Sequence, residues 1–190
     1  MDTDADSALA RAFLADTLRS FRMYKKLGDA ALAQVADDAD LARPLDPGSN
    51  SIATIVKHIG GNLRSRFTDF LTTDGEKPDR DRDGEFELPA APARGEILEW
   101  WESGFRVALA AIESLAPADL TRTVYIRREP FLVVEALNRL VTHLAYHVGQ
   151  IVFVARHVAG DGWTTLSIPK GQSKQYGAGS FKDGAVPRRL

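Results

Sequence analysis

Four stretches of this chain carry apolar residues at spacings of three to five, close to the period of an α-helix that buries one face. They cover about residues 7–36, 51–70, 94–115 and 129–160. Prolines and glycines lie between the stretches, so the helices cannot join into one another. The pattern predicts an all-α fold in which four long helices bury their apolar faces against one another as a four-helix bundle.

The segments between the predicted helices carry different structural signals. Residues 37–51 are rich in turn formers and predict a connection, and residues 73–95 are charged and rich in proline and glycine, which predicts a long loop between the second and third helices. The β-type residues Thr123–Ile126 predict a short extended piece or hairpin. Pro130 is expected in the first turn of the last helix, and Gly160 at its end.

The length of 190 residues fits a single domain. We expect this domain to cover residues 1–176. The segment after Gly160 contains too many glycines and prolines for a long helix, and its apolar residues Trp163, Leu166 and Ile168 are expected to pack on the helices. Residues 177–190 are expected to form a flexible C-terminal tail.

Composition excludes several classes of function. A formal charge of −2 gives no reason to expect nucleic acid or an anionic membrane surface as a partner. The chain contains no cysteine, which excludes a protein thiol as nucleophile or metal ligand. The acidic N-terminus does not resemble a signal peptide, and no apolar run reaches the ~18 residues of a membrane span. We therefore expect a cytoplasmic protein.

Two histidines mark the last predicted helix as a candidate metal site. His143 and His147 lie four residues apart and project from consecutive turns. His58, on the second helix, is the other histidine in a suitable context, because His157 lies ~15 Å beyond His147 along the helix. Three imidazoles with an open position are typical of a catalytic rather than a structural metal site. The spacing equally fits histidines that only form hydrogen bonds, and the HExxH motif is absent because Leu144 follows His143.

Further polar residues accompany the histidines. Asn62, Arg66 and Asp69 share one flank of the second helix with His58 and could line a cleft that binds a substrate. They could equally form a solvated flank with an Arg–Asp pair. Gln150 could orient an imidazole or a ligand through a hydrogen bond, or could bond to a neighbouring backbone group.

Several segments resemble the DinB-like superfamily, which includes bacillithiol transferases and mycothiol-dependent isomerases. NSIATIVKHIGGNLRSRFTDFL contains His58, and in HLAYHVGQI the residues His143, His147, Gly149 and Gln150 match a pattern of HxxxHxGQ type. The chain is most similar to an uncharacterised branch in which DGEKP, DGEFE and TLSIPKGQS also recur, so the resemblance spans nearly the whole chain.

The resemblance has implications for the fold, the metal and the assembly. It implies a four-helix bundle of up-down-down-up type and a site in which His58, His143 and His147 bind a divalent ion such as nickel, zinc, iron or manganese. It also implies a homodimer.

The resemblance further suggests a reaction. Characterised relatives bind a low-molecular-weight thiol as thiolate on the metal. The resemblance therefore implies a metal-dependent transferase that acts on a small-molecule substrate with a small-thiol cosubstrate. One alternative is a non-catalytic dimeric metal-binding or stress-response module that keeps the histidines for structure. A metal-dependent hydrolase is a further alternative, but Asp69, the nearest carboxylate along the second helix, lies ~17 Å from His58 and is a poor candidate for a general base.

Overall fold

The protein is an all-α bundle of four long helices, as predicted, with a short helix and a β-hairpin in its connections. In a computed structural model, residues 3–89 and 92–175 are described. The α-helices are α1 (Thr3–Leu32), α2 (Asp38–Ala42), α3 (Ile52–Phe67), α4 (Arg94–Glu113) and α5 (Val133–Ala159). Helix α2 was not predicted, because five residues are too few to show a helical period. The expected tail, residues 177–190, lies outside the described part of the chain.

The four long helices share one hydrophobic core. The largest fully buried side chains come from each of them and include Phe21 of α1, Phe67 of α3, Trp101 and Phe105 of α4, and Leu144 and Ile151 of α5. Trp163 and Leu166, which follow α5, also pack against this core, as expected. No helix in the described ranges is long and apolar enough to cross a membrane.

Contacts between the helices show that the bundle is of up-down-down-up type. Helix α4 runs antiparallel to α1, because its first residue, Arg94, donates to the carbonyl oxygens that end α1. Helices α1 and α5 run in the same direction, because Gln34 and Thr164, which follow their C-terminal ends, exchange two hydrogen bonds. Lys57 and then Arg64 of α3 contact Trp100 and then Ser103 of α4, so α3 runs parallel to α4 and opposes α1.

The end of α3 differs from its predicted position. Ser51 caps its first turn by accepting a hydrogen bond from the N–H of Thr54. The helix ends at Phe67, although the apolar stripe continues to Phe70. Thr68 leaves the helix with an extended backbone and Asp69 follows with a left-handed one (φ 49°). Phe70 still packs on the Phe67 ring at a centroid distance of 5.2 Å. The apolar stripe therefore includes a residue, Phe70, that is buried although it lies beyond the end of the helix.

The predicted extended piece is a β-hairpin, with β1 (Thr123–Ile126) antiparallel to β2 (Glu129–Leu132). Arg127 and Arg128 form its two-residue turn with positive φ values of 56° and 65°. The expectation that Pro130 starts the last helix is wrong, because Pro130 lies in β2, where a strand edge tolerates its missing N–H. Helix α5 ends at Gly160 as predicted, with φ 54°.

Helices α3 and α4 approach each other closely at Gly60 and Gly104. A Cβ on Gly60 would lie 2.2 Å from the backbone oxygen of Trp100, and one on Gly104 would lie 2.7 Å from the Cα of Gly60. Glycine at both positions therefore sets the spacing of the two helices.

Replacing Gly60 with alanine is expected to lower the free energy of unfolding by about 1–3 kcal/mol, because the added methyl group meets backbone that cannot move away. Gly149→Ala is the matched control, since a Cβ there meets nothing within 4 Å. The control should gain up to about 1 kcal/mol from better helix propensity. Urea unfolding of both variants measures the difference, and equal stabilities would contradict the close approach.

The long loop between α3 and α4 is confirmed, and its charged residues bind the rest of the fold. Asp74 accepts hydrogen bonds from the backbone N–H groups of Arg127 and Arg128, at 2.9 and 2.7 Å, and so attaches the loop to the hairpin turn. Burial raises the pKa of Asp74, but the N–H groups of Glu76, Arg128 and Arg127 outweigh it, and the pKa lies below its usual value of 3.8.

The lowered pKa of Asp74 predicts a pH dependence of stability. As the pH falls toward and below 3.8, the Asp74 carboxyl binds more protons in the unfolded chain than in the folded protein. The stabilisation of the folded state by the Asp74 carboxylate is therefore complete at neutral pH and is lost as the pH falls through the folded-state pKa. Asp74→Asn should therefore be less stable than wild type at pH 7, and the difference should shrink toward pH 3. Urea unfolding across this range tests it, and a difference that does not change with pH would contradict it.

Candidate metal centre

The fold brings His58 of α3 next to His143 and His147 of α5. One ring nitrogen of each residue can be chosen so that all three lie within 4.8 Å of one another. The ring centroids of His143 and His147 are 4.6 Å apart, as expected for histidines on successive turns, and His58 lies 5.3 and 4.9 Å from them. The three histidines therefore form a cluster that could hold a metal ion.

One pair of nitrogens has a spacing that fits either a hydrogen bond between the two rings or two ligands of one metal ion. The Nε2 atoms of His58 and His143 are 3.3 Å apart. Two nitrogens that each lie about 2.0–2.1 Å from a tetrahedral ion are separated by about 3.3 Å. Neutral imidazole nitrogens are common ligands of borderline divalent ions, so the donor set could hold a metal ion.

Burial favours the neutral, metal-binding form of both α5 histidines. Burial, together with smaller contributions from the nearby His147 and His58, lowers the pKa of His143 to about 3. Burial also lowers the pKa of His147, against the opposing effect of its hydrogen bond to Gln150. Neutral imidazoles at physiological pH keep the lone pair that a metal ion needs.

Glu85 orients His58 from the side opposite the cluster. The Nδ1–H of His58 donates to the Glu85 carboxylate at 2.8 Å, which leaves Nε2 to face His143. Both residues are buried. A carboxylate that holds the outer nitrogen of a histidine is the usual support of a metal ligand.

Arg80 completes this support. Its guanidinium donates to both Glu85 oxygens, at 2.7 and 2.9 Å, and its side chain is only 4% exposed. Burial raises the pKa of Glu85, but the hydrogen bonds from His58 and Arg80 outweigh this effect and lower it below its usual value. Glu85 is therefore held as a carboxylate.

Two features of α3 place Glu85 beside His58. Lys57 donates to the backbone oxygens of Gly84 and Glu87, at 2.7 and 2.6 Å, which fixes the single 3₁₀ turn that carries Glu85. Gly61 leaves room for the carboxylate, because a Cβ there would lie 2.3 Å from its Oε1 atom. Glu85 was not predicted from the sequence. Only carboxylates along α3 were considered, and one acidic residue in a charged loop shows no helical or strand periodicity that would single it out.

Gln150 lies where the sequence suggests. Its Oε1 atom accepts a hydrogen bond from the Nδ1–H of His147 at 2.8 Å, so that Nε2 of this histidine is the free nitrogen. His157 is exposed on the last turns of α5 and does not belong to the cluster. This position agrees with the ~15 Å separation between His147 and His157 predicted from the rise of an α-helix.

Asn62 and Arg66 lie on the following turns of α3, and both are buried. Arg66 bonds to the loop rather than to Asp69: it donates to the Gly75 carbonyl and, at 3.0 Å, to Glu76. The Oδ1 atom of Asn62 has no hydrogen-bond partner among the described residues.

Aromatic rings cover two sides of the cluster. Phe86 lies 4.8 Å from His58 and Tyr146 lies 4.9 Å from His147, measured between ring centroids. His143 and His147 are half-buried, while His58 is only 3% exposed. The cluster is therefore supported from the α3 side and partly exposed on the α5 side.

Comparison with known proteins identifies a family without identifying a reaction. The family model described as "Protein of unknown function (DUF1572)" matches residues 8–172, which include all three histidines, Glu85 and Gln150. No curated protein matches the chain.

Proposed function

For this chain, which belongs to the DUF1572 family, we propose a metal-dependent enzyme of the DinB-like type, in which His58, His143 and His147 bind one divalent ion. The observation that carries the proposal is the cluster of three imidazoles from two helices, with one Nε2–Nε2 distance of 3.3 Å. Nickel, zinc, iron and manganese are the candidate ions. All four ions bind imidazole nitrogen, so the donor atoms do not determine which ion is bound.

The residues around the histidines have distinct roles in this proposal. Glu85 and Gln150 hold the outer nitrogens of His58 and His147 and keep the inner nitrogens directed at the ion. Phe86 packs against the His58 ring and Tyr146 against the His147 ring. Three protein ligands leave an open coordination position for a substrate, as in catalytic metal sites.

We propose thiol transfer as the reaction. A bound divalent ion lowers the pKa of a coordinating thiol and supplies a nucleophile at neutral pH. The chain has no cysteine, so the thiol would be a low-molecular-weight cosubstrate that attacks a small electrophilic molecule. The chain resembles an uncharacterised branch of the DinB-like superfamily, and other branches of that superfamily carry out this chemistry, which supports the assignment.

A hydrolase is supported less well. Glu85, rather than Asp69, is the carboxylate next to the cluster, but Arg80 and His58 bind both of its oxygens. Its lowered pKa also makes it a weak base. Among the described residues, no carboxylate at the cluster is free to accept a proton from water.

Elemental analysis of protein purified without chelators, followed by an assay, tests the proposal. We expect about one divalent ion per chain, and conjugation of a chromogenic electrophile such as 1-chloro-2,4-dinitrobenzene with a small thiol. Protein with a stoichiometric ion but no turnover with any physiological thiol would leave a metal-binding module and overturn the transferase. Protein that binds no added ion would favour structural histidines.

A homodimer is a separate proposal. The outer face of α5 exposes Tyr146 and Phe153, at 64% and 71%, and could pack against a second copy. Sedimentation velocity of the full chain tests it, and a monomer at concentrations up to about 100 μM, some hundredfold above a micromolar dissociation constant, would exclude a stable dimer.

A further inference from the structure

Asn62 is a buried amide whose oxygen has no partner in the protein. The residue is 7% exposed, and its Oδ1 atom accepts no hydrogen bond from any described residue. It is the one buried side-chain polar atom in the described ranges of which this is true. Proteins satisfy almost all such atoms, so an unpaired one indicates a partner that is not part of the chain.

The position of Asn62 identifies where this partner lies. Asn62 follows His58 by one turn of α3, so the two side chains share a face of the helix. Side chains of an α-helix lean toward its N-terminus, which directs the Asn62 amide back toward His58. Helices α3 and α5 run antiparallel, so Asn62 lies toward the His143 end of the histidine pair.

Three other polar side chains around the cluster already have partners. Glu85 binds His58 and Arg80, Gln150 binds His147, and Arg66 binds Glu76. Asn62 differs from these three in that its buried oxygen can still accept a hydrogen bond from a ligand.

We propose that Asn62 recognises the ligand of the metal site by accepting a hydrogen bond from it. The ligand class is a molecule with one metal-binding atom and an N–H or O–H group near it, which the Asn62 oxygen binds. This inference rests on the proposed function, because it needs an ion held by the three histidines.

Two probes that differ in one hydrogen-bond donor test the proposal. Imidazole and 1-methylimidazole bind a metal through the same type of nitrogen, but only imidazole keeps an N–H group. Both are titrated into cobalt(II)-loaded wild type and Asn62→Leu, with visible absorption as the readout. Wild type should prefer imidazole about tenfold, the ratio expected for one hydrogen bond, and Asn62→Leu should lose this preference.

The leucine variant also separates recognition from steric exclusion. Leucine has the same number of side-chain heavy atoms as asparagine and branches at the same carbon, so a preference caused by the bulk of the methyl group would persist in Asn62→Leu and would overturn the proposal. A wild type without preference would overturn it as well, and would indicate that an internal water satisfies Asn62. Failure of the wild type to bind cobalt would instead reject the metal site on which both proposals depend.

A stability measurement tests whether Asn62 has a structural role instead. Urea unfolding of metal-free Asn62→Leu should show a midpoint equal to or above that of wild type, because the variant removes an unpaired buried oxygen without creating a cavity. A clearly lower midpoint would mean that the Asn62 oxygen stabilises the fold through a partner of its own, and would overturn the assignment to a ligand.

Discussion

Replacing His143 with alanine is expected to abolish stoichiometric metal binding. Its Nε2 atom lies 3.3 Å from that of His58, so the variant loses one of the two nitrogens that already have the spacing of ligands. Loss of a group outside the metal shell costs about 10–100-fold in affinity, and loss of a direct ligand should cost more than 100-fold. Competition between the protein and a chromogenic chelator measures the affinity.

The same variant should lose stabilisation by the metal. A ligand at a hundred times its dissociation constant stabilises a folded protein by about 2.7 kcal/mol, so added metal should raise the unfolding temperature of wild type and leave that of His143→Ala unchanged. His157→Ala is the matched control, since this histidine is exposed and lies on the same helix. Wild-type affinity in His143→Ala would show that the cluster is not the metal site.

Replacing Glu85 with alanine is expected to reduce both stability and metal affinity. The change leaves the Arg80 side chain, only 4% exposed, without its closest partner. Removal of one member of a buried ion pair costs about 3–5 kcal/mol, and the remaining contact of Arg80 with Glu76 at 3.4 Å should keep the loss toward the lower end. His58 also loses the acceptor of its Nδ1–H, which should weaken metal binding by about 10–100-fold.

Two further variants separate these effects. Glu85→Gln keeps an acceptor for His58 but removes the charge that pairs with Arg80, so it should recover more of the metal affinity than of the stability. Glu87→Ala, an exposed change in the same loop, should leave both unchanged. Urea unfolding and metal titration of the three variants give the two quantities. Wild-type metal affinity in a folded Glu85→Ala protein would show that the carboxylate does not position His58.

Helical periodicity predicted more of the fold than local signals did. The apolar stripes identified the four long helices, because a buried face repeats every three to four residues over many turns. Single residues were less reliable: Pro130 suits a helix start as well as a strand edge, and it lies in β2. Helix α2 and the end of α3 were not predicted, because each is set by only a few residues, too few to show a helical period.

The candidate site was partly accessible from the sequence. The spacing of His143 and His147 on one helix is a local property and placed them together without knowledge of the fold. The hydrogen bond between His147 and Gln150 is equally local, since it spans less than one turn. The approach of His58 rested on the family resemblance, because residues 85 positions apart can meet only through tertiary packing.

The sequence by itself determined the helices, the pair of histidines on α5 and the absence of a protein thiol. Only the tertiary structure decided that Glu85 supports His58, that Arg80 holds Glu85, and that the Asn62 oxygen is buried without a partner. The reason is physical. Periodicity and spacing act along one helix, whereas burial and the pairing of charges depend on which segments the folded chain brings together.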